Sequence, residues 1–463
     1  MHVVVLGAGL AGLSAAYELL LAGQRVTLLE REARVGGMAA SWRKGPYWLE
    51  FGPHRFHTQD PALEALLYEI LDGEVVRRER LSRIYLRERF FRYPLQAGNV
   101  ISNLDAGLLA RALRDYVLVR ARQLVRPTPD EHFESWVLKR FGRTLYDLFF
   151  EAYTSKAWGM PCTEISADWA AQRISQANLW DTIVKTLFPP REGSVRSLVG
   201  EFLYPRRGGV GQIARKYAEK IRALGGEIKL GSSVRSLERR GERIERVSYD
   251  FLGSRESIDA DWVVNTAPIN RILPLVQPAL ELPARRAAES LDHVAIVFVY
   301  LEVDRPSVSP DHWIYLPEKA LRVHRVSEFK NFSDTAAPGD RTAICCEITC
   351  RAGDATWSLT LEEAARIAQE DLERCGLLQP GESRALDLAR LARAYPVYRV
   401  GYQEALETLT EGAQRLRNWI STGRQGLFRY NNMDHSMAMG REVARRVGAL
   451  EPEAYVLPAE YFG

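Results

Sequence analysis

The stretch that most constrains this chain is its N-terminal one. Val3 to Leu6 are consecutive apolar residues, the pattern of a strand buried on both faces. Gly7, Gly9 and Gly12 follow at G-x-G-x-x-G spacing, and the Ala/Leu-rich run Leu13 to Leu21 continues as a helix. Each glycine has its own reason to be there. Gly7 permits a tight strand-to-helix turn, Gly9 lets a pyrophosphate approach the backbone, and Gly12 lets the helix pack on the strand. The diphosphate would lie on the free N–H groups of the helix N-terminus, where the macrodipole favours negative charge. A second strand, Arg25 to Leu29, ends on Glu30, whose carboxylate can accept hydrogen bonds from both ribose hydroxyls. An acid at that place argues against a 2′-phosphate, so NADP is disfavoured as the tightly held dinucleotide.

A chain of 463 residues is longer than one hydrophobic core usually serves, so two domains are expected. With 46% hydrophobic and 26% charged residues, the composition is that of an ordinary globular protein. Lys+Arg of 62 against Asp+Glu of 59 leaves a formal charge of +3, too small to imply a nucleic-acid partner. Cys162, Cys345, Cys346, Cys350 and Cys375 form no C-x-x-C pair. Three of them lie in an apolar strand-like run, where free cysteine behaves as a small core residue, so no metal site is expected. The N-terminus lacks the charged start and cleavage site of a signal peptide, and no apolar run reaches membrane-spanning length. The expectation is a cytoplasmic protein without a membrane span.

Arg34-Val35-Gly36-Gly37 comes directly after the ribose acid and resembles the second glycine motif of the two-domain FAD oxidoreductases, whose backbone lies against the FAD diphosphate. That resemblance selects FAD over NAD. Residues 48–58, WLEFGPHRFHT, enter a Gly52-Pro53 turn followed by His54 and His57. Lone histidines are more often structural; two beside this turn, just after the cofactor motifs, are candidates for a flavin-side role. Pro61 to Leu71 reads as an amphipathic helix and Ile84 to Tyr93 as a hairpin running into Pro94. Asn103 to Arg126 reads as a long helix with Leu108, Leu109, Leu113, Val117, Leu118 and Leu124 interleaved with arginines. A core-facing helix with a solvated basic face is the reading adopted, and a membrane-surface helix is the alternative.

Phe133 to Arg173 is the most informative region after the N-terminus. Phe149 and Tyr153 are four apart and would share a helix face, where they could grip a planar base or simply be core. The segment YDLFFEAYTSKAWGM, with Gly52-Pro53-His54-x-Phe56-His57-Thr58, resembles the UDP-galactopyranose mutases. These flavoenzymes belong to the wider superfamily of amine oxidases, protoporphyrinogen oxidases and carotenoid desaturases. Trp180 to Leu198 has no confident reading. Tyr204 to Leu237 supplies a Gly-rich turn, a helix, a Gly-Gly pair and a β-rich stretch, and Ile258 to Pro268 resembles the superfamily's return into its FAD domain. Residues 325–332, RVSEFKNF, resemble the mutase pattern R-[IV]-x-E-x-K-x-F, and Tyr395-Pro396 a tyrosine–proline pair of that family. Gly423-Arg424-x-Gly426, then Tyr430-x-x-Met433-Asp434 opening a helix, resembles the superfamily's flavin-closing motif.

The fold class expected is α/β: a discontinuous Rossmann-type FAD-binding domain in three pieces (1–60, 204–285 and 401–463), a helical substrate region (61–203) and a mixed-sheet substrate domain (286–400). The resemblance assigns FAD to Gly7, Gly9, Leu10, Ala11, Gly12, Glu30, Arg31, Gly36, Gly37, Met38, Gly52, His54, Val234, Gly423, Arg424, Met433, Asp434 and Ser436. It assigns substrate to Phe149, Tyr153, Trp158, Arg325 and Tyr395, and catalytic roles to His57, Arg325, Tyr395 and Arg173. Arg325 would hold the substrate diphosphate, a task suited to a planar guanidinium fork that stays charged. The implied function is a nucleotide-sugar mutase in which N5 of reduced flavin attacks the anomeric carbon and the sugar changes ring size. The alternative is an oxidoreductase of the amine oxidase, porphyrinogen oxidase or desaturase type. A soluble nicotinamide nucleotide, NAD(P)H, is the expected transient reductant, although the sequence has no second dinucleotide fingerprint to hold it tightly.

Overall fold

The computed structural model of the chain describes residues 1–93, 95, 97–126, 128–173 and 200–449. Pro94 and the stretch Trp180 to Leu198 fall outside them. The strand His2–Leu6 is the middle of a five-stranded sheet in the order Trp419–Ser421, Trp262–Asn265, His2–Leu6, Arg25–Glu30, Glu227–Leu230. All four pairings are parallel. Val3, Val4 and Val5 are fully buried because both faces of a parallel sheet are covered. On one face the helix Leu10–Leu21 packs against Met433–Ala449, where Ser14 Oγ donates to the Met437 carbonyl at 2.8 Å. The sheet is therefore assembled from the beginning, the middle and the end of the chain.

A seven-stranded mixed sheet forms the second layer, in the order Ser383–Pro396, His293–Val303, Thr342–Cys350, Arg325–Glu328, Trp313–Tyr315, Ser82–Leu86, Arg89–Arg92. His293–Val303 shows why it closes two cores at once. Val294, Ile296, Phe298 and Tyr300 enter the large core shared with the first sheet. Ala295, Val297, Val299 and Leu301 enter a second core under the helix Leu361–Arg374. That is the period of two of a strand buried on both sides. The hairpin Ser82–Leu86/Arg89–Arg92 joins this sheet through the parallel pair Ser82↔Trp313, so part of residues 61–203 belongs to it as well.

Two local expectations are corrected. The helix Ala106–Val125 lies within the predicted span of 103–126, but only Ala112 and Tyr116 are buried, with Leu108 packed on a small core. Leu113, Val117, Leu118, Leu124 and Val125 look outward and not into the core. Phe149 and Tyr153 do not share a continuous α-helical face. Tyr146–Glu151 is a π-helical turn, and its i→i+5 pattern shifts the register before α-helix resumes at Ala152–Trp158. Phe149 packs edge-on against Phe91, whereas Tyr153 packs edge-on against Tyr315.

Glu50 ends the strand Tyr47–Glu50 and sits fully buried where the two layers meet. Its Oε1 accepts from the Tyr204 hydroxyl, from Val210 N–H at 2.7 Å and from Ser41 Oγ at 3.4 Å. Its backbone carbonyl accepts from the Tyr300 hydroxyl at 2.7 Å. These bonds fix the point at which the chain enters Gly52-Pro53-His54. Burial pushes the Glu50 carboxyl up to about 7, against the three hydrogen bonds that favour the anion. Between the ordinary value of 4.5 and about 7 the folded chain keeps a proton that the unfolded chain releases, so stability falls as pH rises through that window. Glu50→Gln removes this dependence. The variant should melt at a higher temperature than the parent at pH 8, by up to about 3 kcal/mol in stability, with no gain at pH 4. A pH-independent difference in melting temperature would refute the assignment.

Candidate functional site

The glycine loop after His2–Leu6 has the geometry its spacing implies. Gly7 lies at φ +103, and a Cβ on Gly12 would come within 2.0 Å of the Gly7 carbonyl oxygen. Nothing lies within 4 Å of where a Cβ on Gly9 would point, so the backbone is open there at the N-terminus of Leu10–Leu21. Gly36 N–H donates to the Ala8 carbonyl at 2.7 Å, and Gly9 and Gly36 form a β-bridge, so the two glycine motifs lie side by side. A Cβ on Gly37 would meet Gly9 Cα at 3.4 Å. Leu10 and Ala11 are buried behind this surface.

Glu30 closes the cradle. Its Oε2 accepts Ala8 N–H at 2.7 Å and its Oε1 accepts Glu32 N–H at 2.8 Å. Burial raises its pKa, and the two N–H groups oppose that rise. Each oxygen keeps a lone pair for a ribose hydroxyl. Ser232 N–H donates to the Glu30 carbonyl at 2.7 Å, which brings the strand Ser233–Arg240 and its half-buried Val234 alongside. Arg31 does not turn inward: its guanidinium is exposed and pairs with Glu32 at 2.7 Å.

The C-terminal motif meets this cradle from above. A Cβ on Gly423 would lie 2.7 Å from the Ala11 Cβ. Arg424 donates to the Asn431 carbonyl at 2.5 Å and its Nη1 lies 3.2 Å from Met38 Sδ. Met433 is core, and Ser436 Oγ donates to the Asn432 carbonyl at 3.1 Å. Asp434, in the first turn of Met433–Ala449, is buried with Oδ1 lacking a partner among the described residues. Burial pushes its pKa up to about 7. A buried acceptor without a donor, an open backbone surface at a helix N-terminus and a ribose acid fit FAD. Gly7 to Gly12 and Gly36-Gly37 would take the diphosphate, Glu30 the adenosine ribose, and Asp434 a hydroxyl of the flavin half.

A second group of side chains gathers beside Gly52 and His54. Arg325 Nε and Nη2 grip Glu347 Oε1 and Oε2 at 2.6 and 2.7 Å in a bidentate pair, with Glu347 fully buried. Gly52, at φ +76, lies against that carboxylate; a Cβ there would fall 2.6 Å from Oε1. His54 Nδ1 is 3.3 Å from the Gly52 carbonyl, and burial with the Arg424 and Arg325 guanidiniums pulls its pKa down to about 3. It is therefore a neutral imidazole at physiological pH. His57 is half-buried, and burial with the Arg55 charge lowers its pKa, so it is His54 that feels both Arg325 and Arg424. Tyr395 stacks on Tyr430 with ring centroids 5.8 Å apart, and Arg424 lies over both rings. Trp158 is buried against Tyr395 and Trp169. Tyr153 is held high in pKa by burial and feels the Arg325 charge. Arg173 closes the helix Ala167–Arg173, and its side chain lies outside the described residues.

Sequence reasoning missed Glu347, Arg55, Arg80, Trp313 and Tyr315. Glu347 carried a signal, the lone charge in the apolar run Ala343 to Thr349. Arg55 lies inside the Gly52–Thr58 motif. Arg55 and Arg80 both lie over the Trp313 ring, at 5.8 and 5.1 Å, and Arg80 also over Tyr93 at 4.9 Å. Burial and the neighbouring Arg80 charge pull Arg55 down to about 10. Glu328 and Lys330, by contrast, are structural. Glu328 accepts N–H bonds from Val308 and Ser309, and Lys330 donates to four carbonyls between Pro306 and Arg341.

Replacing Glu30 by Ala removes the ribose acceptor and leaves Ala8 N–H without its partner. The expected outcome is FAD affinity lowered about tenfold or more, read as the ratio of flavin to protein absorbance after gel filtration. Full retention of flavin would contradict the ribose role.

The family model for flavin containing amine oxidoreductases matches residues 10–446. The crystal structure of reduced UDP-galactopyranose mutase superposes with a TM-score of 0.82 at 21% identity, covering 100% of this chain and 97% of that one. Coproporphyrinogen III oxidase from Propionibacterium freudenreichii subsp. freudenreichii is 23% identical over 471 residues, 91% of this chain and 86% of that protein. Phytoene dehydrogenase from Streptomyces griseus is 27% identical over 312 residues, 63% of this chain; the match spans 59% of that relative's length. With the cradle formed by both ends of the chain, these matches establish a flavoprotein that takes FAD, and the chain belongs to the flavin-containing amine oxidoreductase family.

Proposed function

We propose that this flavoenzyme acts on an anionic, diphosphate-bearing substrate, as a nucleotide-sugar mutase of the UDP-galactopyranose type. The observation that carries the reading is the charge of the second group. Arg55, Arg80, Arg325 and Arg424 surround His54, Tyr153, Tyr315, Tyr395 and Tyr430, and Arg325 alone of the four makes an ion pair among the described residues. A protonated amine would meet four guanidiniums against Glu347, already gripped by one of them, and the buried Asp434 near Arg55. A diphosphate fits that field.

Bound FAD, when reduced, supplies a nucleophilic N5 for attack at an anomeric carbon. The chain's own part is to bind and to stabilise charge. Glu347 fixes the Arg325 plane through Nε and Nη2, which leaves Nη1 to take a phosphate oxygen and to stabilise the diphosphate as its bond to the sugar breaks. Tyr153 and Tyr395 stay protonated, so their hydroxyls donate to the same oxygens. The neutral His54 can accept from or donate to the flavin or the sugar without adding charge. The diphosphate that leaves is the one that returns, so no net oxidation occurs. NAD(P)H is the reductant proposed to prime the flavin.

An oxidase reading has one specific support, the coproporphyrinogen III oxidase relative that aligns over 91% of the chain. The same cluster of guanidiniums could hold a carboxylate-bearing porphyrinogen. The two readings separate in one experiment. Holoenzyme reduced with dithionite is incubated with UDP-sugars, quenched with borohydride, and its flavin examined by mass spectrometry. A flavin–sugar adduct is expected. Absence of adduct with every nucleotide sugar, together with peroxide formation from a porphyrinogen, would sink the mutase reading.

Arg325→Lys is the informative variant. Arg325→Ala would leave Glu347 as a buried, uncompensated charge and destabilise the fold by about 3–5 kcal/mol. The lysine keeps the charge and loses the fork. UDP affinity, followed through flavin fluorescence, should fall about tenfold or more while flavin content is unchanged. Unaltered UDP binding would remove Arg325 from the site.

A further inference from the structure

The helix Ala106–Val125 turns its large apolar residues to water. Leu113, Val117, Leu118, Leu124 and Val125 are exposed at 44%, 55%, 60%, 87% and 82%. It is held to the protein by the buried Ala112 and Tyr116, by Leu108 against Leu86, Phe91, Val100 and Leu104, and by Asp115 at Thr144. At about 100° per residue, Leu113, Leu124 and Val117 lie within roughly 40° of one another, and Val125 and Leu118 about 100° further round. Ala110, Ala121 and Arg114, all exposed, fill the interval, so the strip is apolar apart from one guanidinium within it. Arginines border it: Arg120 on one side, Arg111 and Arg122 on the other, with Arg126 just past the end. None of these four makes an ion pair among the described residues. Asp115, the helix's acid, turns inward to the Thr144 hydroxyl at 2.6 Å and pairs with Arg114 at 3.0 Å.

An apolar strip with guanidiniums along both borders, and that of Arg114 within it, is complementary to an anionic lipid surface. The apolar side chains enter the acyl boundary, while arginine stems lie along it and their heads reach lipid phosphates. We propose that this helix seats the enzyme on an anionic membrane surface, lying in the plane of the interface. It does not cross: no helix among the described residues is long and apolar enough to do so. A second copy of the chain is the poorer occupant, because a two-fold contact through this strip would set arginines against arginines.

The test uses the flavin-loaded full chain and sedimentation with vesicles of mixed phosphatidylglycerol and phosphatidylcholine, or of phosphatidylcholine alone. Binding is expected to the anionic vesicles, to weaken with salt, and to be much weaker on phosphatidylcholine. Val117→Asp with Leu118→Asp should lower the partition about tenfold or more, and Arg120→Gln with Arg122→Gln by about tenfold, since each basic residue contributes near the surface. All four positions are exposed, and flavin content with the visible circular dichroism of the flavin shows that each variant keeps its fold. No sedimentation with anionic vesicles overturns the proposal, as does a partition unchanged in the double aspartate variant. A concentration-dependent dimer that these substitutions dissolve, without vesicle binding, assigns the strip to self-association and overturns it equally.

Discussion

Backbone lies against backbone around the N-terminus of the helix Leu10–Leu21, and the rest of the structure depends on that closeness. Side chains are absent where three separate pieces of chain converge. A Cβ on Gly12 would strike the Gly7 carbonyl, one on Gly440 would stand 2.6 Å from the Ala11 carbonyl, and one on Gly426 would stand 2.5 Å from the Asn265 carbonyl. The first helix, the C-terminal helix and the strand Trp262–Asn265 can therefore meet at a distance that methyl groups would prevent. The N–H groups of that helix end are left uncovered by side chains, which is the condition for a diphosphate to sit on them. Packing and cofactor binding share one cause here.

The second sheet depends on a different economy of charge. Arg325 and Glu347 are cross-strand neighbours on adjacent antiparallel strands, so the bidentate pair is set by register and not by chance approach of long side chains. Burying the pair is costly, and it is tolerable because both carboxylate oxygens and two guanidinium nitrogens are satisfied by each other. The guanidiniums around it have no carboxylate in an ion pair among the described residues. Arg424, Arg55 and Arg80 rest on aromatic faces, and Arg424 and Arg80 also donate to the neutral oxygens of Asn431 and Ser82, which leaves their charge uncompensated. A field of that sign is an expense to the folded protein unless something negative enters, and it is this residual charge that argues for an anionic substrate.

Much of this was legible in the sequence, and the misses have physical reasons. Glycine spacing, strand periodicity and the strand–helix order made the N-terminal dinucleotide unit legible, because these depend on local backbone needs. The assembly of its sheet from distant segments was legible through the resemblance of Ile258 to Pro268 and Gly423 to Asp434 to a known superfamily. The pairing of Arg325 with Glu347 was not legible: it depends on which strands are neighbours, and the two residues lie 22 apart in the chain. The Phe149–Tyr153 pair was misjudged because a π-helical turn leaves no mark in hydrophobic spacing. Helix Ala106–Val125 was recognised as a helix but assigned the wrong environment. Its periodic apolar residues are the same whether the partner is a protein core or something outside it.

That last ambiguity has a structural sequel, because the exposed helix is not mechanically isolated from the site. Its Asp115 accepts the hydroxyl and the N–H of Thr144, and a Cβ on Gly142 would lie 2.9 Å from the Asp115 backbone. Thr144 leads within two residues into the π-helical turn Tyr146–Glu151, and that turn leads into the helix that carries Tyr153 and Trp158. Tyr153 touches Tyr315, and Tyr315 touches Tyr93 beneath Arg80. A continuous series of packed and hydrogen-bonded groups thus runs from the outward strip to the guanidinium cluster. The π-helical turn is the link at which the helical register changes, between Phe149 and Tyr153. The exposed helix and Tyr153 are thus joined through that one turn, each held to it by contacts of its own.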